Sequence, residues 1–568
     1  MDEAQASDQG RRDRRTSEPS PTKAVTGGEG RARRRAGGWR AARRARRAVQ
    51  IACFATFVYL LFAGLQRHTA QPFTDIFFRF DPLAAFGTML AARAWLPHLA
   101  LALITVAGAV LLGRFWCGWI CPLGTLLGWF RFGSARRVAK RLPSRLRSVK
   151  YMVLVAIGVM AAFGSMTLMV LDPISLLTRT ATTSLVPGFA YAVTQIETLA
   201  ARWPALGGAV SWVDDTFRGN LLPQVQPRFG QAIAIFLVFL TVILLNALAD
   251  RFWCRYLCPL GALLGWLSKV QVFRPLVVDA CTRCGRCVTA CRVDAIEPAG
   301  GAAAPAGAAG AHVVSSECTM CLDCLVACPE PGAMRFGASL RAGPVRPGPF
   351  PAYDPGRRQF LAAAGAGLGA VLLLGAGVWR SRESPALLRP PGATTESTFL
   401  SRCLRCSECM KVCPTSGLQP ALDEAGLEGL WSPVLRPRLG YCDYSCTACG
   451  HTCPSGAIPK LGLEEKRTRV IGIAVIDRDR CLPWAQDTPC IVCQEMCPTP
   501  RKAIELDKGR YVSNTQGGRD WVKRPTVIPG LCIGCGICEF KCPVSGTAAI
   551  VVERHAPGLA LPGAGGTG

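Results

Sequence analysis

The sequence predicts an α-helical membrane domain, four helices plus a fifth signal or anchor helix, with small α+β cysteine-rich domains on both of its sides. Three observations predict it. Half of the 568 residues are hydrophobic, and four apolar runs approach the ~20 residues that a hydrocarbon core requires. The phrase RFWCGWICPLGTLLGW, Arg114–Trp129, returns as RFWCRYLCPLGALLGW, Arg251–Trp266, with 12 of 16 positions identical. Of 29 cysteines, 24 fall into six groups of four at near-regular spacing. That content lies far above ordinary usage, in a chain too long for a small disulfide scaffold.

Residues 1–47, rich in Arg, Gly and Ala without an apolar period, read as a disordered basic arm. The net charge of +27 raises nucleic-acid binding as a class. The arginines cluster beside apolar runs, and no aromatic-studded module accompanies them, which argues against that class. Residues 48–275 form the membrane domain. Its expected spans are Val49–Leu65, Leu96–Leu112, Tyr151–Leu171 and Phe229–Leu248. Arg131–Lys150 holds eight Lys or Arg and no acid, whereas Asp172–Arg228 holds four charges of each sign. Positive loops stay in the cytoplasm, so the N-terminus and the 113–150 loop are expected inside.

The repeated phrase then follows the second and fourth helices, at the inner surface. A second echo supports duplication: Asp81-Pro82-Leu83 follows the first helix and Asp172-Pro173-Ile174 the third. Parallel repeats are related by an axis along the membrane normal. That symmetry brings Cys117, Cys121, Cys254 and Cys258 toward one another. Four such thiolates can hold a metal or an iron–sulfur cluster, act as a redox dithiol pair, or be structural in each copy. Cys53 stands alone in the first helix and reads as packing. Asp81 and Asp172, expected at the outer face, are candidate proton acceptors or helix caps. His68 and His98 lie near the same face.

Residues 276–340 carry Cys281, Cys284, Cys287, Cys291 and Cys318, Cys321, Cys324, Cys328. Their C-x2-C-x2-C-x3-C spacing is that of bacterial ferredoxins, in which three cysteines bind one [4Fe–4S] cube and the fourth reaches the other. One cube is thus assigned Cys281, Cys284, Cys287 and Cys328, its neighbour Cys318, Cys321, Cys324 and Cys291. The Ala/Gly run 298–311 is an insert. Residues 381–555 carry four more groups. Cys403, Cys406, Cys409, Cys413 and Cys532, Cys535, Cys538, Cys542 keep the spacing. Cys442, Cys446, Cys449, Cys453 open with x3, and Cys481, Cys490, Cys493, Cys497 open with x8. Nested pairing, first group with fourth and second with third, is the expectation here, with sequential pairing as the alternative. Zinc sites lack the third and fourth cysteines at these offsets. Haem c needs C-x2-C-H, and His451 stands one place late. The reading is six [4Fe–4S] clusters in ferredoxin-like domains.

Between the cluster regions, within the linker 341–380, lies GRRQFLAAAGAGLGAVLLLGAGVWR, Gly356–Arg380. Its Arg357-Arg358-Gln359-Phe360-Leu361 looks like a twin-arginine export signal, placed internally. An ordinary anchor helix is the plainer reading, and either carries the next domain outside. Sixteen cysteines sent unfolded into an oxidising periplasm would form disulfides, which favours assembly inside and export of the folded domain. Residues 556–568 read as a disordered tail.

Residues 49–335 resemble NapH, the membrane iron–sulfur subunit of periplasmic nitrate reductase systems, through the helices, the two C-x3-C-P motifs and two quartets. Residues 357–552 resemble NapG and MauM proteins, through the twin arginine and four quartets. The resemblance implies a quinol dehydrogenase component in the bacterial inner membrane. It would draw on the membrane quinone pool and deliver to a periplasmic redox enzyme or cytochrome. A second resemblance, to accessory proteins of copper-oxidase assembly, implies instead a metal reductase using Cys117, Cys121, Cys254 and Cys258. Clusters that only stabilise folding are a third reading, which six cubes disfavour.

Overall fold

The computed structural model describes residues 26–66, 73–130, 132, 144–217, 226–278, 280–298, 311–330, 332–338, 356–375, 384–393, 395–422, 424–513 and 519–554. His68, the arm before residue 26, most of the insert, half of the linker, and the tail lie outside them.

Helices of eight residues or more are α1 (Thr26–Gln66), α2 (Pro82–Ala92), α3 (Ala102–Leu112), α4 (Pro122–Trp129), α5 (Val149–Ala162), α6 (Pro173–Thr180), α7 (Val186–Ala200), α8 (Gly207–Phe217), α9 (Ala232–Leu244), α10 (Pro259–Leu267) and α11 (Arg357–Gly375). The first corrects the expectation for the basic arm: the chain is helical from Thr26. Ala and Arg are strong helix formers. The basic end also has something to hold. Trp39 and Ala42 pack on the first cluster domain, residues 276–340, and Arg43 stands 3.8 Å from Asp323.

Within α1, Gly38–Leu65 is the one stretch among the described residues long and apolar enough to cross a membrane. A membrane anchor and a signal segment both meet that description. The other three expected spans form shorter helices, so the four-helix spanning domain is not found in the expected form. Leu96–Leu112 is divided between a 3-10 turn at Pro97–Leu99 and α3. Tyr151–Leu171 is broken after Ala162, where Gly164 takes φ +82 and a 3-10 turn follows. Phe229–Leu248 contains α9 and a 3-10 turn.

Four short helices build the centre of this domain, and each begins with proline at its first position. Asp81 caps α2, Cys121 caps α4, Asp172 caps α6 and Cys258 caps α10. Proline suits that position because its missing N–H would be unpaired there anyway. The two repeats therefore give matching pairs of capped helices, packed in one apolar core with α5 and α9.

The cysteine-rich domains share one plan of paired strands around cluster loops. In the first domain β1 (Phe273–Val277) pairs antiparallel with β4 (Met334–Ala338), and β2 (Ile296–Pro298) with β3 (Ala311–Val313). β1 and β4 bracket the two quartets, while β2 and β3 lie between them. In the second cluster region, residues 381–555, β5 (Leu418–Pro420) pairs with β6 (Pro433–Leu435) between its first two quartets. β7 (Ile473–Ile476) and β10 (Ile550–Glu553) bracket the last two, and β8 (Ile504–Ser513) with β9 (Arg519–Val527) form the hairpin between.

Candidate metal centres

The four regularly spaced quartets share a backbone signature. In each, the residue before the second cysteine and the residue after it have positive φ. The pairs are Arg283 and Gly285, Met320 and Leu322, Arg405 and Ser407, Gly534 and Gly536. Left-handed residues are uncommon outside glycine, so their recurrence at two fixed places records a constraint. They turn the loop so that successive sulfurs face one centre. The Cys442 and Cys481 groups open with other spacings and lack this pair.

The structure sorts the cysteines into sets. Cys281, Cys284, Cys287 and Cys328 line one cavity. Cys413, Cys442, Cys446 and Cys449 line a second, Cys481, Cys490, Cys493 and Cys542 a third, and Cys497, Cys532, Cys535 and Cys538 a fourth. Cys291 lies within electrostatic range of Cys318, Cys321 and Cys324. Cys453 does so with Cys403, Cys406 and Cys409. In every pair of quartets the last cysteine of one joins the first three of the other. In the second, four-quartet domain this pairing is sequential, first with second and third with fourth, which corrects the nested expectation.

These sets suit iron–sulfur cubes. Burial pushes the Cys324, Cys409, Cys449 and Cys538 thiols well above the ordinary range, and neighbouring thiols push them further. Cys318, Cys442 and Cys493 rise to about 12 for the same first reason. Such groups stay protonated unless a metal takes up the thiolate charge. Among the described residues no three His, Cys, Asp or Glu side chains converge as one ion requires. A cube spreads its thiolates over four separate irons. Backbone N–H groups already aim at the sulfurs: Ala295 at Cys291 at 3.1 Å, Ala503 at Cys497 at 3.4 Å and Ala474 at Cys532 at 3.5 Å. Such bonds tune cluster potentials.

Cys117, Cys121, Cys254 and Cys258 are all buried in the helical core. Asp81 and Asp172, expected at an outer face, are both fully buried. Asp81 accepts N–H bonds from Leu83 at 2.8 Å and Ala84 at 3.3 Å, and Asp172 one from Ser175 at 2.7 Å. Capping is therefore what the structure shows them doing. Each also keeps one oxygen without a donor, and the two side chains are within hydrogen-bonding reach. Two acceptors can bond only by sharing a proton.

Two contact networks were not foreseen from the sequence. Beside the first cluster domain, the Glu317 carboxylate takes Arg114 at 3.3 Å, the Tyr151 hydroxyl at 3.1 Å and the Lys150 ammonium. Burial pushes the Glu317 carboxyl up, but Lys150 and Arg114 together outweigh it and hold it below the usual range. At the other end, Arg179 donates to the Arg405 carbonyl at 3.1 Å and lies 4.4 Å from the Trp431 ring. Arg405, between Cys403 and Cys406, donates to the Met166 carbonyl. The His98 ring lies beside the Pro454 backbone, and α1 meets Lys411 at Gly64. The available signals were Arg114 within the repeated phrase, Glu317 directly before Cys318, and Arg405 inside a quartet. Cys53, expected to pack, is half-buried in α1.

Comparison with known proteins agrees with this chemistry. The 4Fe-4S binding domain family matches residues 95–141 and again 231–276, and the 4Fe-4S dicluster domain family matches 280–331. The first two matches each contain one copy of the repeated phrase. Ferredoxin-type protein NapG of Escherichia coli is 37% identical over 193 residues, 33% of this chain and 81% of the relative. Methylamine utilization ferredoxin-type protein MauM of Methylorubrum extorquens is 37% identical over 215 residues, 36% of this chain and 92% of the relative. Ferredoxin-type protein NapF of Escherichia coli is 30% identical over 179 residues, 32% of this chain and 93% of the relative. No solved structure matches the chain. Many cysteines supply several [4Fe–4S] clusters, and the protein is an iron–sulfur electron-transfer protein. Over about a third of its length, the chain belongs to the family of NapG- and MauM-type ferredoxins.

Proposed function

We propose that this protein passes electrons from membrane quinol, through six [4Fe–4S] clusters on both sides of an inner membrane, to a periplasmic reductase or cytochrome. The observation that carries this reading is the position of the cluster domains along α1. Arg43 meets the inner domain at Asp323, and Gly64 meets the outer domain at Lys411. At 1.5 Å per residue these contacts lie about 32 Å apart, close to the ~30 Å of a hydrocarbon core. The broken helices beside α1 support the same reading by their surfaces. Leu103, Ile104 and Ile233 are 59%, 58% and 77% exposed, a cost in water that lipid removes.

A NapH-like base joined to a NapG-like arm is the arrangement this reading gives the chain. The α11 helix starts at Arg357 and Arg358, which act as the export signal for the outer domain. The proton-sharing pair Asp81–Asp172 accepts quinol protons. When bound, each cluster takes up and releases one electron at a time. The chain's own residues position the sulfurs, cover all but Cys284 at least in part and supply N–H donors.

The test is anaerobic addition of quinol to membrane vesicles holding the full chain. Bleaching of the cluster absorbance is expected. Clusters that stay oxidised with quinol, yet reduce with dithionite, would end the quinol reading.

A further inference from the structure

The third quartet of the second cluster region places eight residues, 482–489, between its first two cysteines. A cube needs no such loop, since four of the quartets open with two. The loop holds something else. Trp484 donates its indole N–H to the Pro525 carbonyl at 3.0 Å. The Arg478 and Arg524 guanidinium carbons stand 4.5 Å and 4.8 Å from its ring centre. Asp487 takes Arg510 Nε at 2.9 Å and Arg524 Nη2 at 3.1 Å. Arg510 belongs to β8 and Arg524 to β9, so the loop is a bracket on the hairpin. The bracket begins and ends at cluster ligands, Cys481 and Cys490.

The other face of the hairpin is turned to solvent. Arg510 lies opposite Val522, and Tyr511 lies opposite Trp521. Successive strand residues point to opposite faces. Arg510 therefore meets the bracket, while Tyr511 and Trp521 point away from it. The two rings meet edge to face at 4.8 Å between centres, and the residues are 67% and 46% exposed. A Cβ on Gly509 would stand 2.8 Å from Trp521 Cε2, so glycine there lets the indole lie flat on the neighbouring strand. Lys523, opposite Gly509, is exposed on the same face. Trp521, Lys523 and Pro525 alternate along β9, and Pro525 lines the cavity of Cys481, Cys490, Cys493 and Cys542. At about 3.4 Å per residue, the exposed indole stands about 14 Å along the strand from that cavity wall.

Two large aromatic side chains held in solvent mark a surface that something covers, and Tyr and Trp are the residues on which interfaces concentrate their energy. Charge indicates what covers them. Residues 501–524 hold seven Lys or Arg and three acids. Asp487 engages two of those cations on the back of the hairpin, and among the described residues of the aromatic face Lys523 is charged and none is acidic.

We propose that this face of the β8–β9 hairpin docks the electron acceptor, and that the acceptor is a protein with an acidic surface around a one-electron cofactor. The inference rests on the proposed delivery of electrons and gives it an exit. The contacts described with the helical domain come from residues 405–454, the first two quartets. The hairpin belongs to the other two, which favours a protein over the lipid surface as its occupant. On docking, the centre held by Cys481, Cys490, Cys493 and Cys542 loses one electron, and the oxidised cofactor of the acceptor gains it. No bond forms or breaks, and no proton moves.

The probe is mitochondrial cytochrome c in two forms, native and basic, or succinylated on its lysines and acidic. Calorimetry on the full chain, oxidised and in detergent, reads docking without electron flow. The acidic form should bind and the basic form should not, and binding should weaken as salt rises. Trp521→Ala and Lys523→Glu should each weaken Kd about five- to tenfold, with iron content unchanged. Lys523→Glu alters only an exposed side chain, so it reads the face even where loss of the indole loosens the hairpin. After reduction by dithionite and removal of the excess, transfer to the acidic cytochrome should slow by the same factor in both variants. Hexaammineruthenium(III), too small to need a docking face, should oxidise all three proteins equally. Dithionite replaces quinol here, so failure of docking while quinol still bleaches the clusters removes the exit and leaves the donor reading intact. Equal binding of both cytochrome forms, or of neither, overturns the proposal. So does unchanged binding in either variant, which is also the result that a face resting on lipid would give.

Discussion

Glu317 is the residue on which the inner domain's docking turns. It is 1% exposed and neutralises two cations that are themselves buried. Removing one partner of such a set strands the others in a poor dielectric, at about 3–5 kcal/mol. Glu317→Gln should therefore loosen the inner domain, read as faster proteolysis within 276–340, and Lys150→Met in the same chain should restore part of the loss. The sign of the pH effect follows from the same network. The folded carboxyl lies below its ordinary 4.5. Its contribution is complete above that value and is lost as pH falls through the lower folded value. Docking followed by proteolysis should be constant from pH 7 to 5 and weaken only at more acid pH. Arg405 has the matching role at the outer end, with φ +55 and 1% exposure. Arg405→Ala removes its bonds to the Met166 and Leu430 carbonyls. It should slow quinol-driven reduction of the outer clusters while their iron content is kept.

Among the elements, α5 and α11 pack closely where Gly367 faces Ala156. A Cβ there would stand 3.2 Å from Ala156 Cα and 3.3 Å from Val159 Cβ. Gly367→Leu overfills that contact and should destabilise the pair by about 1–3 kcal/mol, read as a lower Tm of the detergent-solubilised protein. Replacing Arg357 and Arg358 with lysine should leave α1 inserted and keep residues 400–550 from an external protease; normal cleavage would remove the export reading. The cysteine groups were legible because cluster loops are local, a few residues of fixed spacing. Pairing in the outer domain was not. It depends on β5 meeting β6 and on β7 meeting β10, and strands of three or four residues leave no alternation to read. The helix breaks were hidden for a related reason. Hydropathy records apolar composition, and Leu96–Leu112 stays apolar across the 3-10 turn that divides it. Asp81 and Asp172 were legible as a repeated Asp-Pro, yet their meeting at the centre follows from helices too short to separate them.

Taken as a whole, the molecule is two cluster-bearing ends joined through a core of four capped helices. The cluster loops surround cavities lined by four sulfurs, framed by short strands and small apolar clusters in which the cysteines themselves take part. Anaerobic removal of iron by a chelator should therefore unfold 276–340 and 384–554 while α1 stays helical. Far-UV circular dichroism with limited proteolysis reads both outcomes, and cluster domains that keep their protease resistance without iron would count against ligation as their scaffold. The proposed electron path requires the two ends to lie on opposite sides of a membrane. Intact spheroplasts treated with an impermeant protease give the decisive measurement. Residues 384–554 should be removed while 280–338 survive until the cells are opened; cleavage of both together, or of neither, would refute a path across the bilayer.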